Sequence, residues 1–110
     1  MLTAEYSLLR GILATIARQT FTPDTLYALV VPNSNAKTNA IAFNLCDGSR
    51  TQSEIATAAG VDKGNLSKRI QRWVDAGIII KIPHEKSWLP LHLYPIPETM
   101  IAAHSNEAGK

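Results

Sequence analysis

Two neighbouring stretches in the middle of the chain carry apolar residues at helical spacing. The first runs from Thr51 to Gly60, where Ile55 and Ala59 fall on one face. The second runs from Asp62 to Gly77 and alternates an apolar face with a polar one, as an amphipathic helix does. Its apolar positions are Leu66, Ile70, Trp73 and Val74, and its polar positions are Gly64, Ser67, Lys68, Gln71 and Asp75.

The ends of these two helices are marked by residues that cap helices. Thr51 and Glu54 have the spacing of a capping box, in which each side chain binds the other residue's backbone N–H. Gly60 suits the left-handed conformation that closes a helix, and Asp62 can cap the next one. This order predicts two helices joined by a tight turn, which is the helix-turn-helix geometry.

The segment EIATAAGVDKGNLSKRIQRWVDAGIIIKI, residues 54–82, resembles the core of winged helix-turn-helix regulators of the MarR-like and ArsR-like group. In that group a scanning helix, a turn glycine and a recognition helix lead into a β-hairpin called the wing. The resemblance covers residues 36–94. It implies a mainly α fold with a small β-hairpin wing, here with an added N-terminal helical segment, and it implies a recognition helix that binds double-stranded DNA.

The other elements of the chain divide it into three predicted segments. Residues 1–32 form an N-terminal helical appendage for packing or dimerisation, 33–97 the winged helix-turn-helix domain, and 98–110 a short helix with a frayed tail. Their predicted elements are helices at 2–19, 21–31 (capped by Thr22) and 36–46, strands at 78–82 and 87–94, and a helix at 98–104.

The predicted return strand alternates Leu89, Leu91 and Leu93 with other residues, which is typical of a half-buried strand. Pro90 lacks a backbone N–H and predicts that this strand lies at the edge of its sheet. The turn before it reads Pro-His-Glu-Lys, which is short for a wing of the resembling group and lacks arginine.

The first predicted helix has a wide apolar stripe with Arg10 and Gly11 on the opposite side. A three-helix winged domain does not need this helix, so we expect it to pack on its own domain, on a second copy, or on both. The residues predicted to form the homodimer are Leu2, Tyr6, Leu9, Ile12, Leu13 and Ile16.

Charge is uneven along the chain although the net charge is only +2. Residues 1–61 hold four basic and four acidic side chains, whereas residues 62–86 hold six basic and three acidic ones. The positive excess therefore lies on the predicted recognition helix and wing, where a polyanion would bind.

Other chemistries find little support in the residues. The single cysteine, Cys46, falls in an apolar pattern, and His84, His92 and His104 lack companions at ligand spacing. No nucleophile elbow or phosphate-binding glycine loop is present in the 110 residues, so we expect no enzyme, no metal and no cofactor. The residues do not indicate whether a small-molecule effector binds. The single cysteine predicts a reducing, cytoplasmic location, and the absence of an apolar run of bilayer length predicts no membrane partner. Binding to DNA would make the protein nucleoid-associated.

The predicted DNA contacts follow from the resemblance and from the reach of each side chain. Residues in the first turns of a recognition helix reach base edges, and Asn65 can pair with adenine. The start of the scanning helix directs amides at a phosphate. The complete predicted DNA-binding set is Arg50, Thr51, Gln52, Ser53, Lys63, Gly64, Asn65, Ser67, Lys68, Gln71, Arg72, His84 and Lys86.

The function that these residues favour is that of a sequence-specific, homodimeric transcriptional regulator that binds double-stranded DNA. Two other functions remain open at this point. One is a winged-helix adaptor that binds proteins, and the other is a replication, plasmid or phage accessory factor that binds DNA.

Overall fold

The chain is mainly helical, with one small antiparallel hairpin, in a computed structural model that describes residues 3–31 and 36–102. This arrangement is compatible with a winged-helix shape. Residues 98–102 are also helical. The named elements are α1 (Ala4–Thr20), α2 (Pro23–Val30), α3 (Ala36–Leu45), α4 (Gln52–Ala59), α5 (Lys63–Asp75), β1 (Ile79–His84) and β2 (Ser87–His92).

The capping residues begin and end the two central helices as predicted. The Thr51 hydroxyl accepts from Glu54 N, and Thr51 N donates to the Glu54 carboxylate at 2.8 Å, so the capping box is confirmed. Gly60 closes α4 with φ of 71°, a conformation that costs glycine little. The Asp62 carboxylate accepts from Asn65 N at 2.9 Å and begins α5.

A single apolar cluster lies beneath α5 and is shared by most of the helices. Phe43 of α3 is fully buried at its centre, and its ring packs edge-on against Trp73 with ring centroids 5.4 Å apart. Ala17 of α1 and Leu26 and Val30 of α2 belong to the same cluster. The N-terminal helices therefore contribute to the core on which α5 packs.

The hairpin has a register that places apolar residues opposite one another, with Ile80 facing Leu91 and Ile82 facing Leu89. On its other side β2 meets the loop after α3, where Gly48 N donates to Pro90 O at 3.0 Å. Within the described residues the sheet has two strands, so the prediction from Pro90 that β2 is an edge strand is confirmed. The contact on its other side is an isolated bridge and not a third strand. The proline is tolerated because its carbonyl, not the missing N–H, makes that contact.

The prediction of a half-buried return strand is wrong. Every residue from Leu89 to Tyr94 is buried, including those that alternate with the leucines. The second face is covered from the N-terminal side: the Arg18 guanidinium stacks on the Tyr94 ring, and the Tyr94 hydroxyl donates to Phe21 O. Alternation along one strand does not reveal a helix that covers its other face.

Arg10 ties α1 to the end of β2, although the sequence pattern placed it on the outer side of the helix. Its guanidinium donates to His92 O at 2.7 Å and lies 3.1 Å from His92 Nδ1. Arginine has only donors, so Nδ1 accepts and the buried His92 ring is neutral, with its proton on Nε2.

Burial, followed by the nearby charge of Arg10, lowers the pKa of His92, with partial compensation from backbone hydrogen bonds and Asp47. A histidine whose pKa is lowered by folding binds fewer protons in the folded than in the unfolded chain. Its contribution to stability is therefore complete above the unfolded value of about 6.5 and is lost as the pH falls below it.

We predict that the free energy of unfolding decreases between about pH 7 and pH 5, by at most about 1.4 kcal/mol per pH unit from this group. Denaturant titrations at a series of pH values measure this slope. His92→Gln keeps an acceptor for Arg10 but cannot titrate, so its slope in this window is shallower. His84→Gln, at an exposed position, retains the slope of the natural chain; equal slopes for all three proteins would contradict the role of His92.

Candidate nucleic-acid interface

The outward face of α5 follows from the burial of its inward face. Leu66, Ile70 and Trp73 are at most 3% exposed. Because successive residues turn by about 100°, the side chains opposite them must point away from the core. The predicted contact residues that are exposed on α5 are Lys63, Gly64, Asn65, Lys68, Gln71 and Arg72.

The cations of this face have no acidic partners among the described residues. Neither of the two ion pairs found in residues 3–31 and 36–102 involves α5. The carboxylate at the end of the helix, that of Asp75, accepts a hydrogen bond from the Gln71 amide at 3.0 Å. Lys63, Lys68 and Arg72 are therefore available to an external anion.

A groove of about 750 Å³ runs between α5, the start of α4 and the hairpin turn. Lys63 and Ser67 line it from α5, and Thr51, Gln52 and Ser53 line it from the beginning of α4. The hairpin contributes the wall opposite α4 through residues 84–89, which include His84 and Lys86. Seven residues predicted separately from the sequence thus lie around one open space.

The beginning of α4 has backbone donors in residues that line this groove. The Glu54 amide donates to the Thr51 hydroxyl in the capping box, and the Ile55 amide donates to the Thr51 carbonyl as an ordinary helical bond. Within the described part of the chain the Gln52 and Ser53 amides have no acceptor. Two free N–H groups and the positive end of the helix dipole favour an anion at this position.

Ser67 is bonded within the protein and is not free to donate to a base. Its hydroxyl donates to Gln52 Oε1 at 2.6 Å, and both residues are half-buried. This bond joins α4 to α5 and sets the direction of the Gln52 amide, whose NH₂ group keeps its two donors. The sequence pattern did not reveal the pair because the two residues are 15 positions apart.

Two other cations near the interface are held by the protein. Arg50, predicted to contact DNA, forms an ion pair with Asp47 at 2.7 Å, and its guanidinium also lies 3.4 Å from Leu45 O. Partial burial opposes ionisation of Asp47, but hydrogen bonds from Ser49 and the Arg50 charge outweigh it and lower the pKa of that carboxyl. Arg69 donates to Asn39 of α3 and points away from the outer face of α5.

The hairpin turn presents mixed charge. His84, Glu85 and Lys86 are all exposed, and His84 Nε2 lies 3.6 Å from the Glu85 carboxylate. Glu85 has a φ of 53°, the left-handed conformation needed by a two-residue hairpin loop. In β1, Lys81 lies over the ring of Trp88, 4.9 Å from its centroid. Lys86 is consequently the turn's free cation among the described residues.

The residues predicted to form the homodimer differ in exposure. Leu9, Ile12 and Ile16 are exposed on α1, whereas Tyr6 and Leu13 are half-buried on its inner side. Leu8, which was not predicted, is 66% exposed beside them. Leu2 lies outside the described residues.

Other sites of reactivity are not evident in the described chain. No group of three or more His, Cys, Asp or Glu side chains converges within residues 3–31 and 36–102. Cys46 is fully buried, and this burial, with a smaller effect of Asp47, raises the pKa of its thiol to about 12. Among the described helices none has the length and apolar character needed to cross a membrane.

Comparisons with protein-family models, with curated proteins and with solved structures found no match to this chain.

Proposed function

We propose that this protein is a winged helix-turn-helix protein that binds double-stranded DNA and acts as a homodimeric transcriptional regulator. The observation that carries the proposal is the outer face of α5, whose unpaired cations adjoin a groove lined by α4 and the hairpin turn. In this assignment α4 is the scanning helix, α5 the recognition helix and the hairpin the wing.

The dimensions of α5 support its insertion into a major groove. Its 13 residues span about 20 Å, and the major groove of B-DNA, about 12 Å wide, admits one helix. Gly64 has no side chain near the start of the helix, so the backbone can approach the base edges there. Asn65 and Lys68 flank it on the exposed face and are the residues that we assign to base readout.

The remaining cations and amides are assigned to the phosphate backbone. Lys63, Arg72 and Lys86 are exposed on three sides of the interface. The free Gln52 and Ser53 amides, with the side-chain NH₂ of Gln52, provide uncharged donors for a phosphate between α4 and the hairpin. Contacts of this kind position a protein on DNA, whereas contacts to base edges specify the sequence.

The small number of cations explains why two copies are proposed. Within residues 3–31 and 36–102, the exposed cations of this interface that have no acidic partner are Lys63, Lys68, Arg72 and Lys86, four in one chain. Each neutralised phosphate contributes about −0.9 to the slope of log affinity against log salt concentration. Doubling the surface doubles this electrostatic contribution and places two recognition helices on successive major grooves.

We predict that binding to a duplex weakens steeply with salt, with a slope of roughly −3 to −4 for one bound copy and about −7 for two. This slope is measured by fluorescence anisotropy of a labelled duplex at salt concentrations from about 50 to about 200 mM. Lys63→Ala reduces the slope by about one per copy because one phosphate contact is lost.

The matched control is Lys37→Ala, which removes the same charge from an exposed position on α3, outside the interface. This variant keeps most of the slope. A flat salt response of the natural chain, or unchanged binding by the double variant Lys68→Ala with Arg72→Ala, would show that α5 is not the DNA-binding surface.

A second prediction concerns the bond between Ser67 and Gln52. If Ser67 acts by orienting the Gln52 amide, Ser67→Ala and Gln52→Ala each weaken DNA binding, and the double variant is no weaker than Gln52→Ala alone. A double-mutant cycle measured by anisotropy detects this coupling, expected at about 1 kcal/mol for one hydrogen bond. Ser53→Ala is the control, because Ser53 lines the same groove and its side chain makes no hydrogen bond to α5 among the described residues. Additive losses for the Ser67 and Gln52 variants would mean that the two residues act separately.

A further inference from the structure

The outer side of α1 carries an uncovered apolar ridge. Leu8, Ile12 and Ile16 follow one another at four-residue intervals, and they are 66%, 49% and 59% exposed. Leu9 lies beside them and is 66% exposed. Large apolar side chains that are contiguous and exposed are typical of a surface that contacts another protein.

The ends of this ridge are polar and different from each other. Glu5 lies on the same side of the helix one turn before Leu8 and Leu9, and Gln19 lies one turn after Ile16. Both side chains are exposed. Along the helix the ridge therefore begins with the Glu5 carboxylate, continues with Leu8, Ile12 and Ile16, and ends with the Gln19 amide. Ile12 lies in its middle.

We propose that α1 packs antiparallel against α1 of a second copy of this chain, with the two-fold axis passing beside Ile12. This inference specifies the surface of the homodimer in the proposed function. A two-fold interface requires a surface that is complementary to itself. Reversing the helix about Ile12 places Leu8 against Ile16 and Ile12 against its own copy.

The charged end of the ridge favours the antiparallel over the parallel arrangement. In the antiparallel pair the Glu5 carboxylate meets the Gln19 amide of the other copy, which can donate to it. In a parallel pair Glu5 would lie beside its own copy, and like charges at that distance repel. The apolar residues alone would permit both directions, so the polar ends decide between them.

The inner side of α1 holds the ridge in a fixed position relative to the core. Ala17 is buried in the core, and Arg10 is bonded to the end of β2 at 2.7 Å. None of the ridge residues belongs to the groove or to the outer face of α5. Dimerisation through α1 therefore leaves every residue assigned to DNA exposed.

Cysteine cross-linking tests the arrangement directly, because Cys46, the chain's single native cysteine, is buried and has a raised thiol pKa. Leu8→Cys, Ile12→Cys and Ile16→Cys are made separately in the full chain and oxidised at equal concentration, alone and in pairs. The control is Ala28→Cys, at an exposed position on α2 away from the ridge. Covalent dimers are quantified on a denaturing gel.

The antiparallel pair predicts that Ile12→Cys cross-links with itself. Leu8→Cys and Ile16→Cys cross-link with each other at least about tenfold faster than either does alone, because a disulfide requires Cβ atoms about 4 Å apart. Two copies of residue 8 would be separated by about 12 Å along the helix axis, since each lies four residues from the two-fold axis.

Two results would overturn the proposal. Efficient self-cross-linking of all three ridge variants would indicate a parallel pair. Cross-linking no faster than that of Ala28→Cys, together with a monomeric mass of the natural chain in sedimentation equilibrium, would show that the ridge does not pair. These measurements contain no DNA, and anisotropy of the same proteins with a duplex reports separately on the DNA-binding function.

Discussion

The burial of Leu66, Ile70 and Trp73 is the interaction on which the candidate interface depends. These three side chains fix the rotation of α5 about its axis, since the edge-on contact of Trp73 with Phe43 at 5.4 Å has no equivalent if the helix turns. Once the rotation is fixed, the side chains on the opposite face must point outward. A rotation by one residue, about 100°, would turn Ile70 out of the core and turn polar side chains of α5 into it, and both changes would be costly.

Much of this arrangement can be predicted from the residues because it is local. Caps act over three residues, so Thr51 with Glu54 and Asp62 with Asn65 mark the beginnings of α4 and α5 in the sequence as clearly as in the structure. Helical periodicity then separates the inner and outer faces of α5. The predicted boundaries of α1 to α5 differ from the observed ones by at most two residues, because helix ends depend on neighbours that lie outside the helix. The predicted end of the helix at 98–104 lies outside the described residues.

What the sequence pattern could not reveal depends on contacts between distant residues. The apolar pattern of α1 predicts Arg10 on the outer side of the helix, yet it bonds to His92, 82 positions away. Ser67 belongs to the predicted DNA-binding set, yet its hydroxyl donates to Gln52. Arg50 belongs to the same set, yet it is paired with Asp47. In each case the residue type was compatible with DNA or solvent, and only the packing of separate elements shows that the protein itself uses the group.

The role of α5 as a recognition helix is tested most directly by amide chemical-shift perturbation of the folded protein during titration with a short duplex. We expect the perturbed amides to cluster at the start of α4, along the exposed face of α5 from Lys63 to Arg72, and at the hairpin turn. Amides near the exposed ridge of α1 should remain unchanged. Perturbations centred on any other surface, or none at duplex concentrations well above those of the protein, would contradict the assignment of α5 as a recognition helix.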